Sequence, residues 1–123
     1  MRPTQTRLAA ACILAVAAAG MAPRAHAAAL FFERVTVRTA SEATCMRFAA
    51  DTARNLQFRN VHSNQVEVAG ERGGAYVSMT CIGRGQAPAM AVVMSVSDSF
   101  DTAKQVGTEA AGKIKGITCI DGC

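Results

Sequence analysis

Apolar and polar residues alternate from Leu30 to Arg38 (LFFERVTVR), which places Phe31, Val35 and Val37 on one side of an extended segment and predicts a strand. The period then changes. Cys45, Phe48, Ala49, Thr52, Ala53 and Leu56 recur at intervals of three and four, while Met46, Arg47, Asp51, Arg54 and Asn55 fall off that stripe. This is the pattern of an amphipathic helix with one buried face. Thr39 and Glu42, three residues apart, have capping-box spacing, with Thr39 as the expected N-cap.

Asn60 to Ala69 (NVHSNQVEVA) reads as a single, more polar strand near a sheet edge. Gly70 to Gly74 (GERGG) and Gly83 to Pro88 (GRGQAP) read as turns, since glycine accepts the positive φ of a tight reversal. Between them, Ala75 to Ile82 alternates, with Ala75, Val77, Met79 and Cys81 on one face. Ala89 to Val96 (AMAVVMSV) is almost entirely apolar, as in an interior strand covered on both sides. Ser97, Asp98 and Ser99 offer N-caps for a second helix, whose Phe100, Ala103, Val106, Ala110 and Ile114 repeat at threes and fours. Lys113, Lys115 and Gly116 suit its C-terminal end, and Ile117 to Ile120 reads as a short extended tail.

The order β-α-β-β-β-α, with an optional last strand, predicts an α+β fold. Its simplest architecture is a mixed four- or five-stranded sheet with two helices packed on one face.

The amino-terminus adds an address. Arg2 and Arg7 precede an uncharged apolar run, Leu8 to Gly20, and Ala25-His26-Ala27 puts small residues where a signal peptidase reads them. The run is shorter than the roughly 20 helical residues that cross a bilayer, which disfavours a retained anchor. A lipid-attachment site at Cys12 is disfavoured too, because Ala9 stands where that motif wants leucine. The expectation is a cleavable secretory signal over residues 1–27 and one small domain over 28–123. That domain would be periplasmic in a Gram-negative host and otherwise secreted, with no membrane span after cleavage.

Cleavage changes the charge picture. Loss of Arg2, Arg7 and Arg24 reduces the 13 basic residues to ten against nine acidic ones, so the formal +4 of the whole chain mostly belongs to the leader. A nearly neutral domain has little counterion release to drive nucleic-acid binding, and none is expected. Cleavage also removes Cys12 and leaves Cys45, Cys81, Cys119 and Cys123. Four cysteines in a short exported chain point to two disulfides; zinc would want close cysteine pairs or more histidine than His62. If strands and helices simply run up and down in the order above, the strand ending at Cys81 descends, and so does the last helix. That tracing pairs Cys81 with Cys119 and Cys45 with Cys123. The rival closes Cys119–Cys123 across Asp121-Gly122 and leaves Cys45–Cys81.

Candidate chemistry is sparse. Cys119 and Cys123 have C-x-x-x-C spacing, but they follow a helix C-terminus and flank Asp121, neither of which favours a reactive thiolate. Met46, Met79, Met90 and Met94 are thioether ligands of the kind Cu(I) prefers, yet the last three sit on strands at parities suited to core packing. His62, Ser97, Asp98, Ser99, Asp101 and Glu109 include no motif that joins a nucleophile to a base. Arg72 and Arg84 lie in glycine turns between strands, not at the strand-to-helix junction a phosphate cradle needs. No catalytic residue, cofactor or metal is therefore assigned. The sequence favours an exported, non-enzymatic binding or accessory module, with a periplasmic thiol-redox or copper-handling protein as the alternative. The doubly apolar Ala89–Val96 strand further implies that the sheet face away from the helices is covered, by a second copy in a homodimer or by the chain's own segments.

Overall fold

Strand β1 (Ala29–Thr36) carries the first alternation and helix α1 (Glu42–Asn55) the first apolar stripe. These belong to a computed structural model that describes residues 27–120. The stripe is the buried face: Cys45, Phe48, Ala49, Thr52 and Ala53 are all inside, joined by Thr44. The cap lies two residues later than the capping-box spacing implies. Ser41 accepts from the Thr44 backbone N–H at 3.1 Å, whereas Thr39 Oγ1 accepts from the N–H of Ser41. Glu42 is thereby released to reach across the fold, where its Oε2 accepts from the backbone N–H of Gly83 at 2.9 Å. The helix ends in a Schellman arrangement, with Phe58 N–H bonded to Ala53 O and Gln57 N–H to Arg54 O. Gln57 takes the left-handed position usually held by glycine, at φ 56°.

The segment read as one strand is a hairpin. Strands β2 (Arg59–Ser63) and β3 (Val68–Arg72) are antiparallel, and the chain reverses at Asn64. The Asn64 side-chain oxygen accepts from the N–H groups of Val66 and Glu67, and its own N–H bonds to Glu67 O. An Asx turn of this kind needs neither glycine nor proline. The next reversal is tighter: Gly73 and Gly74, both at positive φ, join β3 to β4 (Ala75–Arg84). Strand β5 (Ala87–Ser97) follows the turn at Gly85, and helix α2 (Phe100–Gly116), capped by Ser99, completes the described elements.

The sheet runs β1-β5-β4-β3-β2, and every neighbouring pair is antiparallel, so it is not mixed. The fifth strand comes from the split hairpin. The tail Ile117–Ile120, read as extended, forms no strand. Helix α1 packs mainly on β4 and β3, and α2 on β1 and β5, so one face of the sheet is roofed. Between roof and sheet lie Val35, Val37, Val68, Val77, Met79, Ala91, Val93, Val106, Ala110 and Ile114. Gly107 lets α2 sit low over β1 and β5. An added Cβ there would lie 2.6 Å from the Phe31 ring and 3.1 Å from Ser95 Cβ.

The extra hairpin reverses every later element, and the expected disulfide tracing fails for that reason. With β1 pointing up, α1 descends, β2 rises, β3 descends and β4 rises. Cys81 therefore ends at the top, beside the first turns of α1. The observed bridge is Cys45–Cys81, with Cα atoms 6.0 Å apart, which rules out both Cys81–Cys119 and Cys45–Cys123. Helix α2 now ascends, so Cys119 also emerges at this end and packs against the core. Cys119 is disulfide-bonded as well. Its candidate partner Cys123, like Cys12 and the signal segment through residue 26, lies outside the described residues.

At the opposite end, Arg72 clamps three elements. Its guanidinium donates to both carboxylate oxygens of Glu109 on α2, at 2.7 and 3.0 Å, and to the Leu56 carbonyl at the end of α1. The hydrogen bond from Arg72 holds the Glu109 carboxyl below its ordinary range, against the small opposing effect of burial. A lowered folded-state pKa stabilises above the ordinary glutamate pKa and is lost as pH falls through the depressed value. Glu109→Gln is thus expected to cost about 1 kcal/mol at neutral pH, since the pair is half-exposed. The difference from wild type should shrink between neutral pH and acid, as the Glu109 carboxylate is protonated. Urea unfolding at neutral and at acid pH checks this, and a deficit unchanged in acid would show that the pair is not its source.

Candidate functional surface

The candidate catalytic side chains are scattered. His62 lies exposed on edge strand β2, with a ring nitrogen 3.1 Å from the Asn64 side-chain amide. Ser97 donates to the Gly74 carbonyl at 2.8 Å, and Ser99 caps α2. Asp98 and Asp101 are exposed beside that cap, while Glu109 is committed to Arg72. Among the described residues, no three histidine, cysteine, aspartate or glutamate side chains come together. Cys45 and Cys81 are buried as well as joined. Arg84, at the β4–β5 turn, donates to the Pro88 carbonyl. Two shallow recesses flank the β3–β4 turn. One, of about 240 Å³, is lined by Arg59, Glu71, Gly74, Ala75 and Tyr76. The other, of about 360 Å³, lies on the helix side around Arg72, Gly73 and Glu109.

The feature that stands out is the other face of the sheet. In β5, Ala89, Ala91, Val93 and Ser95 point into the core, and Met90, Val92, Met94 and Val96 point away from it. The interior position of β5 in the sheet agrees with its apolar sequence; the inference that both its faces are covered does not hold among the described residues. Antiparallel sheets commonly leave one face open, but that face is usually polar. Here it is not. Register places Leu30, Val96 and Tyr76 in one row across β1, β5 and β4, Phe32, Met94 and Ser78 in the next, and Arg34, Val92 and Thr80 in the third. A fourth row holds Thr36, Met90 and Ile82. Leu30 and Phe32 are 56% and 60% exposed, and Tyr76, Ile82, Met94 and Val96 are also open.

The methionines divide accordingly. Met79 is wholly buried under the helices. Met90 and Met94 belong to the open face, not to the core their parity suggested. Charge on this face is limited: Arg34 stands on β1, and Glu67 places its carboxylate against the Ser78 hydroxyl, from which it accepts a hydrogen bond. Glu71, which accepts from the Asn60 side chain, and Arg59 opposite it occupy the far edge. Sequence reasoning identified none of Leu30, Phe32, Tyr76 or Glu67 as a contact residue. The available signal was the Leu30–Phe32 parity, which is as apolar as the core-facing Phe31.

No protein-family model and no curated protein matches the chain. Among solved structures it is similar to an AHSA1-like protein from Rhizobium etli, determined in solution by NMR. The two are 12% identical with a TM-score of 0.43, over 79% of this chain and 91% of that one. At that TM-score the likeness carries no argument about this chain. No helix among the described residues is long and apolar enough to cross a membrane.

Proposed function

We propose that this is an exported, non-enzymatic binding or accessory module, processed to residues 28–123, whose working surface is the open face of the sheet. One observation carries the reading: six large apolar side chains, Leu30, Phe32, Tyr76, Ile82, Met94 and Val96, are left exposed together on a roofed, disulfide-bonded scaffold. Contiguous apolar patches of several hundred Å² on a small domain mark contact sites. Export fits the Cys45–Cys81 bridge, because disulfides persist in oxidising compartments. The thiol-redox or copper-handling alternative, through Cys119 and Cys123 or the methionines, has less support: Cys119 is disulfide-bonded and follows the C-terminus of α2, a setting that does not favour a reactive thiolate.

The test combines processing with contact. The full chain is expressed in an exporting host with a photo-crosslinking amino acid in place of Phe32, and separately in place of Lys104 on α2. Intact mass is expected to show a soluble chain beginning at Ala28, and irradiation should give crosslinked species from position 32 but not from position 104. Soluble protein retaining residues 1–27 would sink the export claim. Equal or absent crosslinking at the two positions would sink the surface claim.

A further inference from the structure

We infer that the occupant of the open face is a second copy of the same chain, packed sheet against sheet about a two-fold axis running along β5. This rests on the reading of that face as the working surface and names its partner. Such an axis keeps strand direction and exchanges the two sides of the sheet. Met90, Val92, Met94 and Val96 then meet their own counterparts on the axis, while β1 of each copy lies over β4 of the other.

The rows defined by the register decide whether that superposition works. Leu30 falls opposite Tyr76, which keeps apolar surface on apolar surface, and Thr36 opposite Ile82, where no charge is buried. Phe32 and Arg34 fall opposite Ser78 and Thr80. There the partner carries the Glu67 carboxylate, fixed on Ser78. The cationic residue of β1 thus meets the anionic one over β4, twice by symmetry. Isologous interfaces require this self-complementarity. A shift of the axis by one strand would set Phe32 and Arg34 over the partner copy's β1 or β2 and lose the alignment.

Size sets the strength. Three strands about 4.8 Å apart and some 30 Å long present roughly 450 Å² in projection per copy. That falls at the low end of specific interfaces, which predicts a reversible dimer in the micromolar range. Aligned sheets pack with their strands within about 30° of each other, so the rows stay matched near the axis, where the apolar residues are.

The experiment is sedimentation equilibrium on the full chain purified from an exporting host, across about 1–500 μM, where a weak dimer dissociates within the range. A reversible monomer–dimer equilibrium is expected. Phe32→Glu should weaken it at least tenfold, and so should Arg34→Glu and Glu67→Arg singly. The double variant Arg34→Glu/Glu67→Arg should recover most of the association, which a fold defect would not do. A circular-dichroism melt of each variant identifies any that fail to fold. A strict monomer throughout, or a dimer indifferent to Phe32→Glu, overturns the inference. If the protein is monomeric while position 32 still crosslinks to a different protein, the working surface stands and the self-pairing falls. If neither association nor crosslinking is seen, both fall.

Discussion

Replacing Cys45 and Cys81 together by alanine is expected to lower the unfolding free energy by about 4 kcal/mol, the value the loop-entropy model assigns to a bridge of this sequence separation. The bridge spans 36 residues and joins the first turns of α1 to the end of β4, so in the unfolded chain it closes a loop containing all of β2 and β3. A domain of this size is stable by only about 5–14 kcal/mol, and the loss is a large share of that. The midpoint of urea unfolding should fall by roughly 2–3 M. The Glu42–Gly83 hydrogen bond at the same end keeps its geometry in the variant and limits fraying, but it does not restrict the unfolded state. Non-reducing proteolysis of wild type followed by mass spectrometry should yield a linked peptide containing Cys45 and Cys81. A loss under about 1 kcal/mol would mean that the reduced chain is already restricted by residual structure.

The second large effect is expected at Gly107. Leucine there should cost about 3 kcal/mol, as overpacking of a close helix–sheet contact does. The neighbours at that point are the Phe31 ring and Ser95 Cβ, both nearer than an ordinary carbon contact. The ring can swing away, because Phe31 is only half-buried and touches Phe100 edge-on at 6.3 Å. Ser95 cannot move, being wholly buried on β5. Phe31→Ala in the leucine background should therefore recover part of the loss and leave a remainder due to Ser95. Thermal or urea unfolding of the two single variants and the double variant measures the coupling. Additive losses would place the strain elsewhere in α2.

The stripes and alternations were legible because each is a local consequence of burial. A helix with one covered face must repeat at threes and fours, so Cys45 to Ala53 and Ala103 to Ile114 announced both helices and the sides they bury. Strand parity likewise assigned Val77, Met79 and Cys81 to the core. The Asn64 reversal was missed because its side chain supplies the turn's hydrogen bonds, so no glycine or proline marks it. One overlooked hairpin sufficed to invert the direction of β4, β5 and α2, and with them the disulfide pairing. The Arg72–Glu109 clamp had no sequence signal, since its partners lie 37 residues apart.

The candidate surface divides along the same line. Periodicity by itself determined the α+β class, the two helices, the core-facing residues and the presence of an apolar outer parity on β5. Only the tertiary structure decided which elements roof which face. Two helices contribute two buried stripes, enough to cover one side of five strands, and the register then gathers Leu30, Phe32, Tyr76, Ile82, Met94 and Val96 from three strands onto the other. That gathering depends on pairings between β1 and β5, more than 50 residues apart in the chain, which no local pattern encodes.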